Sequence, residues 1–161
     1  MRYLPYLDLT RLNENDTDAS TQALCEKAMA VDGGIAAVCI QPHCVSAARA
    51  YLKNAPIKLA SVANFPSGEA GLEHTLEHIK NIIHQGADEI DVVMPYTHYL
   101  AGDKNYVFSF LNACRESCSN KTLKVILETG ALITHSNIVD AATIAIECGA
   151  NFIKTSTGKI K

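Results

Sequence analysis

The sequence predicts an α/β protein on a parallel sheet, and of the two forms open to such a sheet, an open doubly wound sheet and a (β/α)₈ TIM barrel, it favours the barrel, with six strands in this chain. Three observations lead there. Short β-rich runs recur at the spacing of a βα unit, amphipathic helical windows lie between them, and polar residues from different strands interrupt otherwise apolar runs. Ionisable groups contributed by several strands to one interior are typical of barrel enzymes, whose sites gather at the C-terminal ends of the strands. Residues 1–161 therefore read as a single partial barrel domain, with no linker, repeat or low-complexity stretch.

The strand candidates are "YLDL" (6–9), "IAAVCI" (35–40), "KLASVANF" (58–65), "EIDVVM" (89–94), "LKVILET" (123–129) and "FIKTS" (152–156). The interrupting residues are Asp8, Asn64, Asp91, Glu128 and Lys154. Between them, "DTDASTQALCEKAMAV" (16–31) opens on Asp, Thr and Ser capping candidates and puts Leu24, Ala28 and Val31 on one face. "SGEAGLEHTLEHIKNIIHQG" (67–86) carries Leu72, Leu76, Ile79 and Ile83 at helical spacing, with Gly86 as a stop. "DKNYVFSFLNACRESC" (103–118) and "SNIVDAATIAIECG" (136–149) repeat the design, the last ended by Gly149. The first βα junction, "LDLTRLNENDTD", has no glycine-rich dinucleotide fingerprint.

Composition narrows the class of function. An apolar fraction of 48% with 19% charged residues is globular, not disordered or fibrous. A net charge of −3 without a basic cluster argues against nucleic acid as a partner. No apolar run is long enough to span a bilayer, and the N-terminal stretch meets Pro5 and Asp8 before any signal-like core, so a cytoplasmic protein without membrane association is expected. The six cysteines, Cys25, Cys39, Cys44, Cys114, Cys118 and Cys148, contain no CxxC pair and read as reduced thiols packed as small apolar residues.

Lys154 is the most informative single residue. An ammonium in an apolar strand is costly unless it is paired or gives up its proton. A lysine that has lost its proton can attack a carbonyl carbon and form a Schiff base, which arginine cannot do. The plainer reading is a lysine at a strand end reaching solvent. Asp91, between Ile90 and Val92, needs a partner that a lysine on a nearby strand would supply; it suits either a salt bridge or proton transfer at a substrate hydroxyl. "TSTGK" (155–159) can cradle phosphate through backbone N–H groups and an ammonium, but lacks the spacing of a nucleotide P-loop.

Taken together, "LDLTRLNENDTD", "AAVCIQP", "VANFPSG", "GADEIDVVMPY", "LKVILETG" and "GANFIKTSTGK" resemble, in order and spacing, the deoxyribose-phosphate aldolase family. The resemblance runs from Tyr6 to the last residue and touches every predicted strand. It implies a class I aldolase on a (β/α)₈ barrel. The reaction implied is the reversible cleavage of 2-deoxy-D-ribose 5-phosphate to glyceraldehyde 3-phosphate and acetaldehyde, without metal or cofactor. By the same resemblance Lys154 is the Schiff-base lysine and Asp91 assists proton transfer. Asp8, Thr10 and Cys39 fall on pocket-lining positions, and Gly158 and Lys159 on the phosphate side. The family pattern continues for two more βα units, with a second lysine in a "GFKPAGG"-like segment that perturbs the Schiff-base lysine. The expectation is thus that the 161-residue chain alone is a poor aldolase, with Lys154 missing partners and the open edges of its first and last strands driving self-association.

Two other readings of function are a non-catalytic fragment of such an aldolase and a sugar-phosphate isomerase or epimerase, which needs no nucleophilic lysine. His74 and His78 in "EHTLEH" resemble a zinc helix only loosely, because the glutamates precede the histidines; a solvated helix face is expected. Tyr96, His98 and Tyr99 follow the fourth strand as either a loop or the rim of a pocket.

Overall fold

The structure, a computed structural model, describes residues 3–160. Six strands form one sheet in chain order: β1 (Asp8–Arg11), β2 (Ala37–Ile40), β3 (Lys58–Ala63), β4 (Glu89–Val93), β5 (Thr122–Ile126) and β6 (Phe152–Lys154). The pairs β1–β2, β2–β3 and β5–β6 are parallel, with Thr10 opposite Cys39, Cys39 opposite Ala60 and Ile126 opposite Lys154. Helices α1 (Asp18–Met29), α2 (Val45–Leu52), α3 (Leu72–His84), α4 (Tyr96–Leu100), α5 (Lys104–Cys118), α6 (Thr129–Leu132) and α7 (His135–Glu147) fill the connections. Sequential parallel strands joined by helices are the expected first six strands of a TIM barrel.

The contacts divide into two compact units, Met1–Val62 with Ile82–Glu89, and Ala63–Asn81 with Ile90–Lys161. In the first unit α1 starts on a capping box: Thr17 Oγ1 accepts from the Ser20 N–H, and the Ser20 hydroxyl accepts from the Thr17 N–H. Its buried face is Thr21, Cys25 and Ala28, and Leu24, expected at the centre, is only half-buried. The stripe is rotated because α1 packs on α2, where small side chains allow close approach. Helix α2 lies in the one interval for which the periodicity named no window; only Val45, Ala48 and Leu52 mark its buried face. β2 is buried at every position, as a parallel strand covered on both sides must be.

The second unit buries Val107, Phe110, Leu111, Cys114 and Cys118 of α5 with Ala141, Ile144 and Ala145 of α7. α3, which runs through both units, buries Thr75, Ile79 and Ile82, so the expected line through Leu72, Leu76 and Ile83 is its flank. All six cysteines are buried thiols. Burial drives the Cys25 and Cys118 thiols up to about 11, and that of Cys114 further, which makes them packing groups and not nucleophiles. No helix among the described residues is long and apolar enough to cross a membrane.

The last strand departs from expectation. β6 ends at Lys154, and its apolar residues Phe152 and Ile153 are 59% and 36% exposed instead of buried. Among the described residues β6 is the last strand in the order. Asn64 and Glu128 are also placed differently: each follows its strand, in left-handed backbone with φ of 53° and 54°.

Candidate active site

The centre of the site is a buried carboxylate on β4. Every residue of β4 after Glu89 is buried, so Asp91 has no solvent-facing side to use and its side chain is 0% exposed. Such a group is tolerated only when it is paired. Asp91 Oδ2 lies 2.5 Å from Lys154 Nζ on β6, and Oδ1 lies 3.4 Å from Lys124 Nζ on β5. The expected Asp91–Lys154 pair is therefore formed. Asp91 stands at the middle of β4 and Lys154 at the end of β6.

Lys124 was not anticipated, and it changes the expectation that Lys154 lacks partners within this chain. Its signal was present: a lysine inside the apolar run "LKVIL" is the same irregularity as Lys154 in "NFIKTS". The two amines are unequal. The Lys124 side chain is 6% exposed and that of Lys154 is 28% exposed, so Lys154 is the one a dissolved carbonyl compound can reach. Lys154 is thus less desolvated than an interior strand position would make it.

The segment after Lys154 is strapped to the end of β5. The N–H groups of Leu127 and Thr129 donate to the carbonyls of Lys154 and Thr155 at 3.0 and 2.8 Å. Glu128, 4% exposed, accepts from the Thr157 N–H at 3.0 Å and the Thr157 hydroxyl at 2.6 Å. The Lys159 N–H donates to Thr157 Oγ1 at 3.1 Å, so two N–H groups of the proposed phosphate cradle are already engaged by the protein. Gly158 adopts φ 71° with open space around it, and both Gly158 and Lys159 are exposed. Asn64 performs a similar task after β3: its amide donates to the Val93 carbonyl and its oxygen accepts from the Ala70 N–H, both at 2.8 Å.

Asp8, Thr10 and Cys39 belong to the other unit and are described there. Asp8 and Thr10 stand on β1, with Thr10 in register with Cys39 of β2, and the Thr10 hydroxyl donates to the Asp8 carbonyl at 3.2 Å. Asp8 is half-buried, Thr10 exposed and Cys39 buried. The loop that follows is held by Asp16, which accepts from Arg11 Nε at 2.6 Å and from the Asn13 N–H at 3.0 Å. Burial works against the Asp16 carboxylate, but Arg11 and the Asn13 N–H outweigh it and hold its pKa below the usual range.

The remaining candidates resolve into structure. Tyr96–Leu100 is a helix, and Tyr99 is a buried residue whose hydroxyl donates to Asp140 at 2.7 Å; burial and that bond push it up to about 12. His98 stacks on Tyr106. His74 and His78 face each other on α3 with ring centroids 5.9 Å apart, and burial with the neighbouring ring lowers the pKa of His78. Among the described residues no group of three or more His, Cys, Asp or Glu side chains could hold a metal ion.

Comparison with known proteins bears on the whole chain. The family model described as "DeoC/LacD family aldolase" matches residues 3–161. A candidate deoxyribose-phosphate aldolase from Coccidioides immitis is 30% identical and superposes with a TM-score of 0.93 over 98% of this chain and 61% of its own. A second candidate of that activity from Toxoplasma gondii is 28% identical, with a TM-score of 0.88 over 98% of this chain and 60% of its own. The tetrameric deoxyribose phosphate aldolase from Aeropyrum pernix is 28% identical, with a TM-score of 0.81 over 98% of this chain and 65% of its own. This chain thus spans less than two thirds of the length of each of these three.

Proposed function

Because the chain belongs to the DeoC/LacD family of aldolases, we propose that the protein it represents is a class I, Schiff-base deoxyribose-phosphate aldolase. The observation that carries the reading is the fully buried Asp91 carboxylate bridging an accessible amine, Lys154, and a buried one, Lys124. In this mechanism Lys154 Nζ attacks the C1 aldehyde carbon of open-chain 2-deoxy-D-ribose 5-phosphate, and loss of water leaves an iminium. The C3 hydroxyl gives its proton to Asp91, directly or through a water. The C2–C3 bond breaks, its electron pair passes into the iminium to form an enamine, and glyceraldehyde 3-phosphate leaves. Protonation at C2 and hydrolysis then release acetaldehyde and restore the amine.

Once Lys154 becomes an iminium it donates fewer hydrogen bonds, and Asp91 Oδ2 can turn to the substrate hydroxyl while Lys124 retains Oδ1. Lys159 and the Gly158 turn serve the phosphate. By analogy with the Aeropyrum pernix relative, the assembled enzyme is an oligomer. An isomerase would need no covalent amine, and a non-catalytic fragment would release no aldehyde. The test incubates the protein with 2-deoxy-D-ribose 5-phosphate and reads acetaldehyde release. We expect release above a Lys154→Arg control and undiminished by excess EDTA, since the iminium is the electron sink. Release equal to that control, or restored after chelation only by zinc, overturns the proposal.

A further inference from the structure

The turns that precede the two strands bearing Asp91 and Lys154 are the same device built twice. Before β4 runs Gly86-Ala87-Asp88 and before β6 runs Gly149-Ala150-Asn151, each placing the site residue three positions after the acid or amide. In the first unit the Asp88 N–H donates to the Leu59 carbonyl at 2.7 Å, and the Leu59 N–H donates back to Asp88 Oδ2 at 3.0 Å. In the second the Asn151 N–H donates to the Leu123 carbonyl at 2.8 Å, and the Leu123 N–H donates back to Asn151 Oδ1 at 2.9 Å.

An arginine closes each loop. Arg49 of α2 donates to the Gly86 carbonyl at 2.7 and 2.9 Å and to Asp88 at 2.5 Å. Arg115 of α5 donates to Asn151 Oδ1 at 3.0 Å and reaches the Gly149 carbonyl at 3.5 Å, while its other terminal nitrogen holds the Ser119 and Lys121 carbonyls at 2.8 and 2.6 Å. The glycines match as well. Gly86 and Gly149 have φ of 108° and 82°, and a Cβ on either would meet the stem of its arginine at 3.0 and 3.2 Å. Reciprocal pairing of this kind admits one register only, because a slip of one residue would break the side-chain bond and the backbone bond together.

We infer that Arg115 and Asn151 are positioning residues that set the height of Lys154 in β6 against Asp91, as Arg49 and Asp88 set the register of the strand that carries Asp91. The inference rests on Lys154 being the Schiff-base lysine. β6 is three residues long, so the clamp at Asn151 lies next to the register it fixes, in which Lys154 pairs with Ile126. The arginine's planar fork meets four acceptors at once, which an ammonium cannot do.

The test measures borohydride trapping of acetaldehyde on Lys154 by peptide mass spectrometry, as a function of acetaldehyde concentration and corrected for folded fraction by circular dichroism. Asn151→Ala and Arg115→Lys are expected to lower the maximal trapping rate about tenfold or more while leaving the half-saturating concentration in place, as small misplacements of a reacting group do. Asn151→Asp, which copies the Asp88 clamp, is expected to stay within about twofold. If the wild-type protein traps at Lys154 and the first two variants, though destabilised, trap at the wild-type rate per folded molecule, the positioning role is overturned and the aldolase reading stands. Loss of trapping in Asn151→Asp overturns the equivalence of the two clamps and with it the inference. No trapping at Lys154 in the wild type removes the aldolase reading and the inference together.

Discussion

Replacing Asp91 by Asn keeps the shape of the side chain and removes a negative charge that lies between two ammonium groups. The attraction lost can be sized from the distances. At an effective dielectric of about 20, a contact at 3.4 Å is worth about 5 kcal/mol and one at 2.5 Å somewhat more, before the cost of burying the ions is subtracted. Breaking a buried pair by removing one partner costs about 3–5 kcal/mol net, because the other charge stays behind in the interior. Lys124 is the charge that stays, being 6% exposed, whereas Lys154 at 28% can turn partly to water. The lower end of that range, about 3 kcal/mol, is therefore expected for Asp91→Asn. Lys154→Met leaves the Asp91–Lys124 contact in place and should cost only about 1 kcal/mol. Urea unfolding followed by circular dichroism reads both: with a slope of about 2 kcal/mol per molar, the midpoint should fall about 1.5 M for Asp91→Asn and about 0.5 M for Lys154→Met. An Asp91→Asn midpoint within about 0.3 M of wild type, or the reverse order of the two variants, would refute the buried-bridge account.

Glu128→Ala removes the acceptor of two hydrogen bonds and leaves the Thr157 N–H and hydroxyl buried without it, so a loss of about 2–4 kcal/mol in the same urea assay is expected, with Glu128→Gln losing less. Asp88 gives a pH signature. Burial raises its pKa, but the Leu59 N–H and Arg49 more than offset this and leave it lowered. Its contribution is thus fully present above the unfolded value of about 3.9 and fades as pH falls through the lower folded value. Asp88→Asn should therefore destabilise at pH 7 and lose less stability than wild type between about pH 4 and pH 2, measured by thermal unfolding; parallel pH curves for the two proteins would contradict this.

Much of the site was legible because burial of charge is a loud signal. Asp91 and Lys154 each break an apolar run, and the structure joins them. Lys124 breaks a run in the same way, but it is the second residue of the predicted run 123–129, where a lysine also reads as a solvent-facing end; in the structure it stands at the middle of β5 with its side chain enclosed. Thr17 and Ser20 announced the start of α1 because capping is local chemistry. The rotation of the α1 face from Leu24 to Cys25 depends on α2, which the pattern did not reveal: eight residues with three small buried side chains make little periodic signal. Asn64 and Glu128 read as strand interruptions because their type was unusual, yet their left-handed backbone, which ends the strand and turns the side chain onto the next segment, leaves no mark in composition. The exposure of Phe152 and Ile153 was illegible for a different reason, since burial of a strand is decided by what packs on it and not by its own apolar residues.

The most direct measurement of the central claim is to locate the covalent intermediate. The protein is incubated with 2-deoxy-D-ribose 5-phosphate and cyanoborohydride, digested and mapped by mass spectrometry. The account predicts a reduced adduct on Lys154, the amine that is both bonded to Asp91 and open to solvent, and none on Lys124, whose side chain is closed off at 6% exposure. An adduct confined to Lys124 or Lys159, with Lys154 unmodified, would contradict it.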